Sequence, residues 1–132
     1  MASRLKLIVV TPQKQVTEAE ADEVQLPGEL GYLGILPGHT PLITLLKAGV
    51  VTYKNAGTAR SLAVSSGFAE VSSDVVSVLA DLAEEPGDVD AAAAERDRAS
   101  AAEAMTTAGM DTVDEIRTRL EFAQARLEVA KR

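Results

Sequence analysis

Apolar positions along this chain follow two rhythms, and the change between them falls at Glu84-Glu85-Pro86-Gly87. Before that point, aliphatic and β-branched runs of four to seven residues are separated by turn signals, the pattern of short strands. Strands are expected at Arg4 to Thr11, Glu23 to Pro27, Gly31 to Leu36, Pro41 to Leu46, Gly49 to Lys54, Ala59 to Val64, Gly67 to Ser72 and Val75 to Ala83. Pro12, Pro27-Gly28, Pro37-Gly38, Asn55-Ala56-Gly57, Ser65-Ser66-Gly67 and Ser72-Ser73-Asp74 punctuate them. Short strands at this spacing, with no helical pattern among them, predict an all-β sandwich or flattened barrel over residues 1–84. Several strands are apolar at both parities, as in Val75-Val76-Ser77-Val78-Leu79, so one face is expected to be covered by another element.

After a hinge at 85–87 the chain turns helical over 88–132, with no proline and a single glycine, Gly109. Ala91 to Met105 is dominated by the strongest helix former, and Asp88 or Asp90 supplies an N-cap and a negative charge at the positive end of the dipole. Gly109 reads as a stop, and Thr112-Val113-Asp114-Glu115 matches a capping box that starts a second helix. Val113, Ile116, Leu120, Ala123, Leu127 and Ala130 recur at spacings of three and four, a seam for a packed partner helix. The short connection predicts an antiparallel αα-hairpin, with Glu115 to Arg119 and Glu128 to Arg132 as outer i,i+4 pairs. The fold class is thus α+β, a sandwich followed by a two-helix hairpin. Alanine methyls bury little area, so the hairpin is read as weakly docked and detachable, with a fixed decoration that widens the core as the alternative.

At 132 residues and 46% hydrophobic the chain holds one full domain plus this appendage. Aromatics are only 3% (Tyr32, Tyr53, Phe68, Phe122), so the core must be built from Val, Leu, Ile and Ala, and the stacking platform of a single-strand nucleic-acid binder is missing. A formal charge of −7, with no Lys or Arg cluster before residue 96, repels phosphate backbones and anionic lipid headgroups. Direct contact with nucleic acid or membrane is not expected. Without cysteine there is no disulfide framework or thiolate site. The apolar stretch Leu5 to Val10 is too short and interrupted for a signal peptide, and no segment approaches the roughly 20 apolar residues of a membrane span. Any membrane association is expected to be indirect.

His39 is the sole histidine, which leaves little from which to build a triad or a three-histidine metal site. It lies in the proline-flanked turn Leu36-Pro37-Gly38-His39-Thr40-Pro41, which displays its side chain for a backbone bond, a partner contact or a catalytic base. Glycines every third residue in Gly28-Glu29-Leu30-Gly31-Tyr32-Leu33-Gly34 match neither the dinucleotide fingerprint nor the phosphate loop, and read as turns and strand bends. Glu18, Glu20, Asp22 and Glu23 are read as a loop running onto a strand edge, where solvated charge discourages edge pairing. From these residues alone, a small β-sandwich enzyme or ligand-binding module using His39 and neighbouring carboxylates stays open beside a protein-binding role.

Residues 24–51, above all Gly31-Tyr32-Leu33-Gly34-Ile35-Leu36-Pro37-Gly38-His39-Thr40-Pro41-Leu42, resemble the signature of the F-type ATP synthase epsilon subunit family, of bacterial or plastid type. The likeness continues through Ser66-Gly67-Phe68-Ala69-Glu70-Val71, Val75 to Asp81 and the terminal hairpin. It implies a non-catalytic rotor subunit that couples ion translocation to ATP synthesis, its sandwich bound to the gamma subunit and to the ring of c subunits. By the same resemblance, the turn holding Pro37 and His39 faces gamma, and Glu29, Leu30, Gly31 and Tyr32 lie towards the c-ring. Tyr32 stands where some relatives carry an acidic residue, so this contact becomes aromatic and apolar. The implied location is peripheral, on the cytoplasmic face of the plasma membrane or the stromal side of a thylakoid.

The resemblance further implies a mobile hairpin that lies on the sandwich or extends along gamma into the catalytic head and opposes ATP hydrolysis. As one continuous helix, residues 88–131 would reach about 66 Å. Arg117, Arg119, Arg126, Lys131 and Arg132 would then meet acidic surface of the alpha and beta subunits. Some relatives bind ATP on this hairpin through Asp-x-x-Arg-Ala and two arginines four apart. Here Asp90 is followed by Ala93 in place of the arginine, and of the second pair only Arg126 remains because Phe122 fills the other position. Losing two guanidiniums removes most charge-assisted bonds to a nucleotide, so no cofactor is expected and ATP binding should be weak or absent. The same losses weigh against a free-standing nucleotide sensor.

Overall fold

A computed structural model describes residues 4–131. Ten strands come first: β1 (Leu5–Val10), β2 (Gln15–Ala21), β3 (Glu23–Gly28), β4 (Gly31–Ile35), β5 (Leu42–Leu46), β6 (Gly49–Asn55), β7 (Thr58–Val64), β8 (Gly67–Ser72), β9 (Val75–Ala80) and β10 (Ala83–Glu84). A short 3-10 turn, Pro86–Asp88, leads into α1 (Ala91–Met105) and α2 (Val113–Ala130). The strands pair in the order β10-β7-β6-β3-β5-β8-β9-β1-β2, with β4 on β3, and every pairing is antiparallel except β1 with β9. The path curls over so that β1 packs across from β3 and β2 from β6, a sandwich close to a closed barrel.

Between the layers lies an aliphatic core of Leu5, Leu7, Val9, Val24, Leu26, Ile35, Leu46, Val51, Leu62, Val64, Val71, Val76 and Val78, with Tyr53 partly buried at its edge. Alternation along β1 shows how the pattern builds it: Leu5, Leu7 and Val9 point inward while Lys6, Ile8 and Val10 face out. Two hairpins turn through pairs of residues at positive φ, Ala56-Gly57 and Ser73-Asp74, the geometry that matches strand twist in two-residue loops.

Several sequence expectations need correction. Glu18 and Glu20 lie in a strand, β2, whose outward carboxylates face β1: Glu20 pairs in register with Lys6 and Glu18 with Ile8, and Lys6 Nζ sits 3.6 Å from a Glu18 oxygen. The run to Ala83 breaks at Asp81-Leu82, because Leu82 N–H donates to Ser65 Oγ at 2.8 Å and turns the chain into β10. The capping box does not form; Thr112 Oγ1 donates to the Gly109 carbonyl, and α1 already ends at Met105, leaving Gly109 within the connection. On α2, Ala130 is exposed, and Arg117 pairs with Asp114 at 2.9 Å, with no ion pair between Glu115 and Arg119; a Glu128–Arg132 pair lies outside the described residues. The Asp90 cap is present, its side chain accepting the Ala93 N–H at 3.0 Å.

The hairpin lies folded against the sandwich. α1 packs on α2 through buried Ala94 and Ala101, and α2 makes the joint to β6 and β7. That joint is a second, small apolar cluster of Val50, Ala63, Ala125 and Val129, flanked by Val89 and Phe122.

Candidate protein-binding surface

The turn carrying His39 is rigid for reasons local to its sequence. His39 N–H donates to Leu36 O at 3.1 Å, with Pro37 second and Gly38 third at φ 83°, the residue order of a type II turn. Gly38 N–H donates to a carboxylate oxygen of Asp74 at 2.7 Å, and the Asp74 carbonyl accepts from Lys6 N–H. Asp74, noted in the sequence only as turn punctuation, therefore fastens the β4–β5 corner to the β8–β9 turn. The partly exposed His39 ring is bonded through Nδ1 to the Thr40 carbonyl at 2.6 Å, which makes Nδ1 the donor and leaves Nε2 facing outward. Among the described residues no carboxylate or nucleophile hydrogen-bonds this ring, and no three acidic or histidine side chains converge as a metal site.

At the other end of β4, Gly28 and Gly31 pair across the hairpin that presents Glu29 and Leu30. A Cβ on Gly28 would come within 2.6 Å of the Gly31 carbonyl, so the tight turn requires glycine there. Leu30 is fully exposed at the tip. Tyr32 folds back over Pro27, its hydroxyl accepting the Val50 N–H at 3.2 Å, which leaves the ring exposed but fixed. Glu29 N–H donates to Leu45 O, tying the tip to β5.

Between these two features lies a surface that sequence reading missed. Leu45 pairs with Phe68, Phe68 with Leu79 and Leu79 with Val10, so one row of apolar side chains crosses β5, β8, β9 and β1 on the outer face; Ile43 and Ile8 stand in the next row. Ile43 is 71% exposed, Leu45 62% and Phe68 42%, and no element among the described residues covers them. A groove of about 400 Å³ lined by Leu30, Tyr32, Leu33, Ile43 and Leu45 joins this face to the β3–β4 tip. The signal was present as strands apolar at both parities. Among the described residues the cover expected there is supplied by α2 over β6 and β7, where Val50 and Ala63 are buried, and none lies over β8 and β9. Exposed apolar rows of this kind mark protein contacts.

The hairpin arginines diverge. Arg117 and Arg119 are exposed, whereas Arg126 turns inward, its Nε donating to Glu84 at 2.7 Å and a terminal nitrogen to Asp97 at 3.2 Å. Asp90 is committed to its cap. Near the hinge, Thr17 donates to Glu85 at 2.7 Å, and Tyr53 has its phenol pKa raised by burial and by the charge of Glu85, partly opposed by Arg60. No helix among the described residues is long and apolar enough to cross a membrane.

Residues 4–86 match the family described as ATP synthase, Delta/Epsilon chain, beta-sandwich domain. The chain is 44% identical to the ATP synthase epsilon chain of Koribacter versatilis over 83% of its own length and 77% of that relative. It is 42% identical to the epsilon chain of Solibacter usitatus, covering 98% of each, and 40% identical to epsilon chain 2 of Syntrophotalea carbinolica, covering 100% and 97%. In fold it resembles a chain in the Euglena gracilis mitochondrial ATP synthase structure of OSCP, F1 and c-ring, with a TM-score of 0.80 at 18% identity over 100% of this chain and 84% of that one.

Proposed function

The chain belongs to the epsilon-chain family of ATP synthase, a non-catalytic subunit of that complex, and on that premise we propose that its sandwich is a clamp on the rotor and its hairpin a movable regulator. The observation that carries the clamp is the uncovered row Leu45, Phe68, Leu79 and Val10, which starts beside the β3–β4 tip, with the braced His39 turn at the opposite ends of the strands. Burying such side chains against a partner contributes about 25 cal/mol per Å², and none of the described residues occupies the face. Gamma is the occupant, docking on this row, on Pro37 and on the outward Nε2 of His39. The exposed tip of Glu29, Leu30, Gly31 and Tyr32 meets the polar loops of the c-ring through an apolar surface. The assembly is thereby peripheral to the membrane, on its cytoplasmic or stromal side, and transmits rotation driven by ion flow.

The hairpin's role is supported by its thin joint to the sandwich. Extended, it would carry Arg117 and Arg119 towards the alpha and beta subunits and oppose hydrolysis. ATP is not its ligand: Arg126 is already engaged by two carboxylates, Asp90 by a backbone amide, and Phe122 by the joint. A calorimetric titration of the isolated chain with ATP should show no micromolar binding.

The clamp is tested by capture on tagged gamma. The wild-type chain should be retained, and Leu45→Glu with Phe68→Glu should weaken retention about a hundredfold or more while the isolated chain melts nearly unchanged, since both side chains are exposed. Undiminished capture by the double variant removes the proposal. Deleting 88–132 should preserve capture and raise ATP hydrolysis by the complex; unchanged hydrolysis defeats the inhibitory role and leaves the clamp standing.

A further inference from the structure

Arg126 joins three parts of the molecule through one side chain. Its guanidinium is held by Glu84 on β10, by Asp97 on α1, and against the ring of Phe122 on its own helix at 5.6 Å. The side chain is only 12% exposed, in contrast to the outward Arg117 and Arg119. Its surroundings give these bonds weight. The apolar joint beneath consists of two valines and two alanines with Val89 and Phe122 at its margin, and a further ionic link from sandwich to α2, Lys47 to Glu121, is long at 3.8 Å. Where apolar burial is small, a charge-assisted bond in a half-dry site contributes a large share of the docking free energy. Breaking it on one side only leaves a partly buried charge without its partner.

Position in the chain matters as well. Glu84 is the last strand residue, and Glu85 beside it is anchored to the sandwich by Thr17. Between that anchor and the Asp90 cap the chain is connected by the single 3-10 turn Pro86–Asp88, closed by Asp88 N–H donating to Glu85 O at 2.9 Å. The bonds of Arg126 bridge this connection from the sandwich to the hairpin.

We propose that Arg126, Glu84 and Asp97 form a ligand-free clasp that holds the hairpin folded on the sandwich, and that its opening is the step that releases the arm. The clasp sets the balance between docked and released hairpin without nucleotide. It also keeps Arg126 out of reach of any external anion until release. Its consequence for hydrolysis rests on the regulatory reading above; the clasp itself does not.

Because the chain has no cysteine, Glu29→Cys on the sandwich and Asp114→Cys on α2, both exposed and lining one groove, can carry a spin-label pair on the full chain. In nucleotide-free buffer the wild-type background should give one short, narrow distance. Arg126→Gln or Glu84→Gln should raise the ratio of long to short distances about tenfold. Asp97→Asn should raise it roughly twofold, since the Asp97 side chain is 61% exposed and screened by water. The exchange Arg126→Glu with Glu84→Arg, made together with Asp97→Asn so that the new carboxylate faces no like charge, should restore most of the short distance, a recovery that simple loss of packing would not give. Helix that melts on release would appear as a broad distance with reduced circular dichroism and counts as opening. An unchanged distribution in both Arg126→Gln and Glu84→Gln, or no recovery in the exchange, overturns the clasp. Opening without any change in hydrolysis by the reconstituted complex instead refutes the regulatory reading and leaves the clasp intact.

Discussion

The sandwich has two outer faces that are apolar for different ends. Over β6 and β7 the outward-facing positions are small, Val50 and Ala63, and the chain covers them with Ala125 and Val129 of α2, adding charged links at the margin. Over β5, β8, β9 and β1 they are large, Ile43, Leu45, Phe68 and Leu79, and none of the described residues lies upon them. Small side chains under a helix give a joint that thermal motion and a competing partner can open. Large ones give a surface whose burial is too favourable to reverse cheaply, which suits a contact made once at assembly. The same fold thus separates what must let go from what must hold.

The contrast can be broken most severely at Gly67, under the bare face. A Cβ there would fall 2.0 Å from the Leu79 carbonyl and 2.8 Å from Ala80 Cα, both backbone atoms in the paired strand. Gly67→Val should therefore force β8 and β9 apart and cost on the order of 3 kcal/mol, read as a lower urea midpoint, with capture on gamma lost as well. At the covered face, Val129→Asp places a carboxylate where a side chain is fully buried. It should undock α2 at a cost of roughly 2 kcal/mol to the joint while the sandwich melts as before and gamma capture persists. Loss of both properties together would mean that the two faces are not independent.

Smaller effects sharpen the comparison within the hairpin. Asp90→Ala should reduce helix content and cost about 1 kcal/mol, because it removes a cap seen at 3.0 Å, whereas Thr112→Ala should have almost no effect, since that hydroxyl caps nothing. Equal losses in circular dichroism would contradict this assignment. Smallest is an alkaline effect at Tyr53. Its pKa is raised by burial first and by Glu85 second, so the folded state holds the phenolic proton more tightly than the unfolded chain. That contribution is complete below the ordinary tyrosine pKa of about 10 and is lost as pH climbs through the folded value. Glu85→Gln should bring the Tyr53 absorbance transition to lower pH.

Much of this fold was legible because it is written in short spans. The β5-to-β9 strands, the Pro37-Gly38 corner and the Asp90 cap each depend on residues within a few positions of one another. β2 escaped because Gln15–Ala21 carries two glutamates and little aliphatic density; it is strand by virtue of pairing with β1, where Lys6 offsets the charge. The apparent capping box failed because Thr112 prefers the Gly109 carbonyl once the connection is built, a competition that spacing does not reveal. At the candidate surface, the turn around His39 could be found from its prolines, but Asp74, which braces it from 36 residues away, could not.

By itself the sequence determined where strand gives way to helix, where the corners fall and that the core would be aliphatic, because backbone propensity and side-chain period act locally. Only the tertiary structure decided which apolar face is left bare and that Arg126 faces inward to partners 42 and 29 residues distant. Those outcomes depend on which surfaces the returning chain brings together, and burial and charge pairing have no value until it has done so.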